Sequence, residues 1–469
     1  MSRMRHGFSA ARQRPHRQRQ GNDNVINTYK TIGLGVGLMA CVPMAFAQSS
    51  QDSDTIQRRL DALQQQVQEL KRELAAQKAS QQRENTQTRQ LAEKNSSLLD
   101  NVGTPQFSGA IELGYTFNDW SESSKDTVGD MDFGKFILGM DGGEGPLSYS
   151  FQYRFYDGYR FLHHAWAGYA FSDADTVKLG LVQTPFGNMD YGYLGWYGNL
   201  PYLAGFNDNQ NAGIKWDHSQ GAWDTSLAFF KSDQLGDGNE HYGANAVGMT
   251  GDATYDANGD LVSRGNQGNS EENQLAARAA YTFGKGSDYT TEVNLSAKGG
   301  QLYNHNTHES GDNWAVALGM NGNYGNWTTL LQATSYQYDA KNPDEAISGI
   351  SDNALQIGAF GFNYLIPAEG QMYSASLAYS MDVDWGVVEN LYFYNDFSYI
   401  AASGDYSAVN GGFGDMDDPM LNDLGVKVTA GRYYAWFDIV TNKNGLNYFG
   451  SPVDDGWHTS VQSHFGLTY

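Results

Sequence analysis

Residues 184–211 bring together Phe186, Tyr191, Tyr193, Trp196, Tyr197, Tyr202 and Phe206 with the carboxylates of Asp190 and Asp208. Residues 184–214 contain no Lys or Arg. Aromatic faces stack on the apolar faces of sugar rings, and carboxylates hydrogen-bond hydroxyls, so the segment is chemically suited to holding or guiding a small hydrophilic solute. The same rings also suit packing of a loop against a wall, because aromatics usually owe their place to buried area. Two basic residues stand out by parity. Arg154 alternates with Tyr153 and Phe155, and Arg278 with Ala277 and Ala279, so a strand would turn both arginines away from the apolar face. Opposite an acidic loop, either guanidinium would set a field across the intervening space; either could instead pair with a wall carboxylate.

Covalent and metal chemistry find less support. Ser, His and Asp are abundant, yet no local arrangement singles out a nucleophile, base and orienting acid, so no enzyme is expected. His163 and His164 are adjacent in a strand pattern and are expected to face opposite ways, which keeps them from one metal. Asp256-Ala257-Asn258-Gly259-Asp260 lacks the spacing and closing Glu of an EF-hand. It reads as a turn within an acidic insertion, residues 232–271, with scope for loose divalent bridging to lipopolysaccharide. No cofactor or metal site is expected.

The elements that must position these residues follow from a period of two. From Phe107 onward, Phe107, Gly109, Ile111, Leu113, Tyr115 and Phe117 share one face, while Ser108, Ala110, Glu112, Gly114 and Thr116 share the other. The pattern recurs in Leu147 to Phe155, in Val177 to Leu181, in Val293 to Ala297 and in Trp314 to Met320. Turn signals separate the segments, among them Asp141-Gly142-Gly143, Gly284-Lys285-Gly286, Asn323-Tyr324-Gly325-Asn326 and Ala430-Gly431-Arg432. The 469 residues contain 55 Gly, 30 Tyr and 13% aromatics. No apolar run past the leader approaches the roughly 20 residues of a transmembrane helix. The expected fold is an all-β transmembrane antiparallel barrel of about sixteen strands over residues 107–469, with 184–211 as its third long loop. Seventeen strand-like segments can be counted, but a barrel with both ends on one side needs an even number. A soluble β-sandwich or propeller is the alternative for the alternating faces.

Residues 1–47 read as an export signal: Arg-rich, apolar from Ile32 to Val42, then Ala45-Phe46-Ala47 before a cleavage point. Leu38-Met39-Ala40-Cys41 also has the form of a lipoprotein box around the single cysteine. Without the leader the chain carries 23 basic and 52 acidic residues, net −29, which excludes nucleic acid as a natural partner and favours cations at an acidic mouth. Within 48–80, Ile56, Leu60, Leu63, Val67, Leu70 and Leu74 keep to one helical seam about three heptads long, either a periplasmic coiled coil or an amphipathic helix lying on another surface. Residues 81–106 read as a linker. At the other end Val461, Phe465, Leu467 and Tyr469 share one parity up to a final aromatic, similar to the terminal strand that barrel assembly machinery is thought to read. Outer-membrane lipid and lipopolysaccharide would then be its surroundings.

Four stretches carry a wider resemblance: the coil around Leu60 to Leu74, Ala165-Trp166-Ala167-Gly168-Tyr169, Gly180-Leu181-Val182-Gln183-Thr184-Pro185-Phe186-Gly187, and Leu391-Tyr392-Phe393-Tyr394-Asn395-Asp396-Phe397-Ser398. Together they resemble the trimeric outer-membrane porins related to the phosphate-selective porin O/P family. The resemblance implies a homotrimer of sixteen-stranded barrels, each with a loop folded into its lumen, conducting small hydrophilic solutes. Phosphate selectivity in that family rests on basic residues along the pore, whereas residues 101–469 here hold 15 basic against 44 acidic residues. Sugars or cations are therefore the expected solutes. A phosphate- or anion-selective pore and a non-conducting anchor are the alternatives.

Overall fold

A β-strand at the edge of a sheet leaves a row of N–H and C=O groups unpaired, and hydrocarbon offers them nothing; only closure of the sheet removes the edge. The computed structural model describes residues 104–234, 252–259, 261–359, 362–403, 418–446 and 450–469, with four isolated helical positions, Gln65, Gln68, Lys71 and Lys78. The chain divides into two units, Met1–Gln87 and Thr88–Tyr469. The export signal and the heptad seam residues lie outside the described residues.

Within the second unit the strands are β1 (Gln106–Asn118), β2 (Asp130–Glu144), β3 (Leu147–Phe155), β4 (Arg160–Ala170), β5 (Asp175–Gln183), β6 (Gln210–Gln220), β7 (Trp223–Ser232), β8 (Thr254–Tyr255), β9 (Leu261–Ser263) and β10 (Asn269–Phe283). There follow β11 (Tyr289–Asn304), β12 (Ser310–Tyr324), β13 (Trp327–Asp339), β14 (Ala354–Ala359), β15 (Phe362–Pro367), β16 (Glu369–Trp385), β17 (Val388–Ala402), β18 (Met420–Ala430), β19 (Tyr433–Lys443) and β20 (His458–Thr468). Sixteen of them form one closed antiparallel barrel, from which only the hairpins β8–β9 and β14–β15 stand apart. β20 closes the ring on β1, pairing Ser460 with Asn118 at one end and Thr468 with Ala110 at the other.

Alternation sets what each face touches. On β12, Trp314, Val316 and Leu318 are 43%, 42% and 57% exposed, while Ala315 and Ala317 between them are buried. Ile111 and Leu113 point out from β1 and Glu112 points in. An outer surface of exposed Leu, Val, Phe and Trp around a polar interior is what a bilayer-spanning barrel requires. No helix among the described residues is long and apolar enough to cross a membrane; the crossing is made by strands. One end of the barrel has tight turns. At Gly325 and Gly431, φ values of +63° and +60° supply the left-handed backbone that two-residue hairpins need. The other end carries the long loops.

Three local expectations are corrected. Asp141-Gly142-Gly143 is not a turn: β2 runs on through Glu144, with Gly142 opposite Tyr149, and a Cβ on Gly142 would meet the Tyr149 hydroxyl at 2.2 Å. The third loop, L3, spans 184–209, because β6 already pairs from Gln210. His163 and His164 do not alternate. A bulge in the β3–β4 ladder, where Gln152 pairs with His164 and Tyr153 with Leu162, brings their Nδ1 atoms to 2.7 Å.

The barrel interior has its own apolar core. Phe186, Leu200, Leu203 and Phe206 from L3 pack with Leu355, Ile357, Tyr364 and Ile366 of the β14–β15 hairpin, which folds inward from the loop between β13 and β16. Tyr364 donates its hydroxyl proton to the Leu203 carbonyl, and Tyr336 on β13 donates to the Pro367 carbonyl at 3.0 Å. Each fully buried ring or Leu contributes about 1.5–3 kcal/mol relative to exposure, which holds two loops inside the lumen.

The outward assignment makes a direct prediction. Leu318→Arg is expected to destabilise the barrel in vesicles by about 2–4 kcal/mol, as a charge facing mid-bilayer does, measured by reversible denaturant unfolding. A cost no larger than that of Leu318→Ala would contradict it.

Candidate functional site

L3 leaves β5 and is tied to the far wall by polar groups along its whole length. Gly187 N donates to Ser296 Oγ on β11 at 2.8 Å, and Asn188 N to Gln332 Oε1 on β13 at 2.8 Å. The Gly187 carbonyl accepts from Arg278 Nε at 2.9 Å. The sequence then places Asn199 before Leu200-Pro201, a start signal for a helical turn. Asn199 Oδ1 accepts from Tyr202 N at 3.0 Å while its Nδ2 donates to the Gly192 carbonyl at 3.0 Å. One side chain thus caps the turn Leu200–Leu203 and fixes the tip that precedes it.

That tip sits on β17. Asp396, wholly buried, accepts from Leu194 N at 3.1 Å and Gly195 N at 2.6 Å, and Ser398 Oγ accepts from Leu200 N at 2.9 Å. Gly195 has to be glycine: a Cβ there would lie 2.4 Å from Asp423 Oδ2 on β18. From the tip, Trp196 reaches a second wall. Its ring stacks on His464 of β20 with centroids 3.3 Å apart and planes 9° from parallel. Its Nε1 donates to Glu112 Oε1 at 3.2 Å. Glu112 also accepts from the Tyr434 hydroxyl at 2.8 Å and pairs with Lys135 Nζ at 3.3 Å. These bonds meet the requirement that a buried charge be paired and hydrogen-bonded.

Between the L3 tip and the wall of β1 to β3, β19 and β20 lies a cavity of about 660 Å³. Of the residues singled out in the sequence, Tyr191, Tyr193, Trp196, Tyr197, Tyr202 and Arg154 border it. Tyr191 is 40% exposed, whereas Tyr197 and Tyr202 are buried behind the surface. Tyr193 packs on Tyr202 with centroids 4.6 Å apart. Burial, with Tyr202 beside it, holds the Tyr193 phenol well above its ordinary pKa, so it offers only a neutral O–H. Phe206 and Asp208 lie away from the cavity: Phe206 is buried against Phe186 and Tyr336, and Asp208 is buried against His163 and Gln210. Asp190 is exposed, and its carbonyl accepts from Gln183 Nε2 at 2.5 Å.

The two arginines differ. Both face inward, but Arg278 Nη2 pairs with Glu292 on β11 at 2.5 Å while its Nε holds L3, so it joins loop to wall. Arg154 borders the cavity and bonds Gln152 Oε1 at 2.7 Å and the Tyr191 hydroxyl at 3.1 Å. Asp396 and Glu112 were not singled out in the sequence, although inward parity with Tyr394 and Ser398, or with Ala110 and Gly114, marks them as lumen carboxylates. The bulge at His163 assembles a further array: Ser150 Oγ lies 2.8 Å from His164 Nε2, His164 meets His163, and His163 Nε2 lies 3.1 Å from Asp208 Oδ2. Neutral tautomers satisfy it in one direction, with Ser150, His164 and His163 donating in turn toward Asp208. Ser150 is buried and does not border the cavity, and the array ties the return of L3 to β4. Among the described residues no three His, Cys, Asp or Glu side chains are arranged to hold a metal. Asp256 closes its own turn by accepting from Asn258 N at 2.7 Å.

The geometry defines a transmembrane barrel whose lumen is crossed by a docked loop. No family model matches the chain, and no curated protein matches it. Among solved structures it is similar to OmpT, an outer membrane protein of Vibrio cholerae in a trimer form, at 13% identity and TM-score 0.43, over 78% of this chain and 100% of that one. It is similar to the anion-selective porin from Comamonas acidovorans at 14% identity and TM-score 0.45, over 78% and 99%. It is also similar to Salmonella typhi OmpF in complex with daunomycin at 11% identity and TM-score 0.48, over 79% and 99%.

Docking of the tip on Asp396 is testable by itself. Asp396→Ala removes the acceptor of two loop N–H groups, a loss of about 1–3 kcal/mol if they stay buried. Protease cleavage within residues 189–198 is expected to rise while the barrel stays folded, and cleavage unchanged from the parent would contradict the docking.

Proposed function

We propose that the chain is an outer-membrane porin, a water-filled channel for passive diffusion of small hydrophilic solutes, sugars among them. The observation that carries this reading is the cavity beside the L3 tip, inside a closed barrel with an apolar outer face and bordered by Tyr191, Tyr193 and Trp196. Rings on a channel wall give a solute's flat apolar face somewhere to slide while wall amides and carboxylates exchange hydrogen bonds with its hydroxyls. The long-loop end faces outward and the tight-turn end faces the periplasm, and three copies assemble as a homotrimer. The leader is removed on export, the last strand is read by the barrel assembly machinery, and lipid and lipopolysaccharide surround the wall. The excess of acidic residues draws cations to the mouth. One observation favours the second reading, a barrel that serves only as an anchor: the β14–β15 hairpin and L3 together fill much of the lumen with buried apolar side chains.

Planar-bilayer recording of the purified, refolded protein separates the two. Stepwise conductance closing in threes, a reversal potential on the cation side and reduction of current by maltodextrins are expected of the porin. A folded protein that neither conducts nor permits liposome swelling by small sugars would overturn it in favour of the anchor.

A further inference from the structure

Inward-facing cations in this barrel are, with few exceptions, neutralised where they stand. Lys135 pairs with Glu112 at 3.3 Å, Lys178 and Lys215 with Asp217 at 3.2 and 3.7 Å, Lys298 with Glu271 at 3.4 Å, and Arg278 with Glu292. Two depart from this among the described residues. Lys427 lies over the Trp436 ring at 4.8 Å. Arg154 is 6% exposed and its described hydrogen bonds go to neutral groups, Gln152 on its Nε and Tyr191 on its Nη2, with none on Nη1; the Asp208 carboxylate acts on it without being hydrogen-bonded to it. A guanidinium withdrawn from water with no carboxylate in contact is costly, and its planar fork matches a carboxylate better than any other common group.

The surroundings add a second requirement. Arg154 borders the 660 Å³ cavity, within the size range of small-molecule pockets. On the loop side stand Tyr191 and Tyr193, with ring centroids 5.7 Å apart. On the strand side, in the loop between β3 and β4, Tyr156 and Tyr159 stack with centroids 4.6 Å apart and planes 9° from parallel, and both border the cavity. Four tyrosines bordering the same cavity as this cation favour a flat solute that carries the anion. The carboxylates of Asp132 and Asp157 border the same cavity but are exposed to water. They need no partner from the solute, and they repel a second negative charge on it.

We propose that Arg154 and the four tyrosines form a binding subsite for the carboxylate of a small ring-bearing monoacid. The subsite rests on the reading of the lumen as a solute path. The ring lies against the tyrosine faces, the carboxylate takes the unused edge of the guanidinium, and the Tyr191 hydroxyl orients Arg154 for it. A ring-bearing acid has two chemical forms, an aryl acid and a sugar acid, and the experiment separates them.

Isothermal titration of the folded, full-length protein in detergent needs no current, so it judges the subsite even if the channel reading fails. Benzoate is expected to bind about tenfold or more tighter than benzamide, the size of one charge-assisted hydrogen-bonded contact, and tighter than phthalate. Galacturonate binding above glucose but below benzoate marks the aryl form as preferred, and the reverse order marks the sugar acid; equal binding of galacturonate and glucose together with equal binding of benzoate and benzamide overturns the proposal. Arg154→Gln is expected to lose benzoate binding by about tenfold or more, and Tyr191→Phe, which keeps the ring but loses the hydroxyl that orients Arg154, by about threefold. Unchanged benzoate binding in folded Arg154→Gln, or no benzoate binding by the parent at millimolar concentration, overturns it. Should Arg154→Gln fail to fold, the comparison of benzoate with benzamide on the parent protein still decides.

Discussion

Hydrocarbon supplies no hydrogen bonds, and the rest of the structure depends on that single constraint. With no helix among the described residues long and apolar enough to cross, the barrel meets it by pairing every strand with two neighbours until the last returns to the first. Here the return is the β20–β1 ladder. Closure fixes parity, parity sends Leu318 and its kind outward and Glu112, Arg154 and Asp396 inward, and the inward set then has to be satisfied in a confined space. The lumen chemistry is therefore a consequence of the wall, because each apolar residue facing lipid commits its neighbours to the interior.

The interior solves its own polar problem with the loops. L3 offers N–H groups where the wall offers acceptors, at Ser296, Gln332, Asp396 and Ser398, and the β14–β15 hairpin covers the apolar side of L3. What remains is an asymmetric space. One side of the lumen is packed, and the other keeps a cavity between the Trp196 tip and the β1–β3 wall. The tip is fixed from two directions, by Asp396 through backbone groups and by Glu112 through the indole N–H, so the cavity has a defined width without any covalent link.

Much of this was legible in the sequence where a period could speak. The antiparallel barrel and the inward parity of Arg154 and Arg278 follow from counting residues by twos; sixteen strands needed the even-number rule as well, and a loop in the lumen was implied only by the resemblance to trimeric porins. The same counting fails where the ladder slips. The bulge at His163 is invisible to a strict period of two, so two histidines expected to diverge came together, and two glycines that resemble a turn proved to be room for Tyr149 within a strand. Periodicity also cannot tell a wall strand from a lumen strand. Leu355 and Ile357 are strand-like and apolar, yet they never face lipid. Whether an aromatic of L3 borders the cavity or packs behind it depends on contacts more than a hundred residues away, which is why Tyr191 and Phe206 looked alike in sequence.

That division between cavity-facing and packed rings is the most direct test of the account. With the single native cysteine, Cys41, replaced by alanine, Tyr191→Cys and Phe206→Cys variants are recorded in planar bilayers, and a small charged thiol reagent is added on the long-loop side. The account predicts that labelling Tyr191→Cys reduces the current at once and that Phe206→Cys, buried behind the loop, does not respond. A current equally sensitive at both positions, or insensitive at Tyr191→Cys and reduced at Phe206→Cys, would mean that the solute path does not run beside the L3 tip.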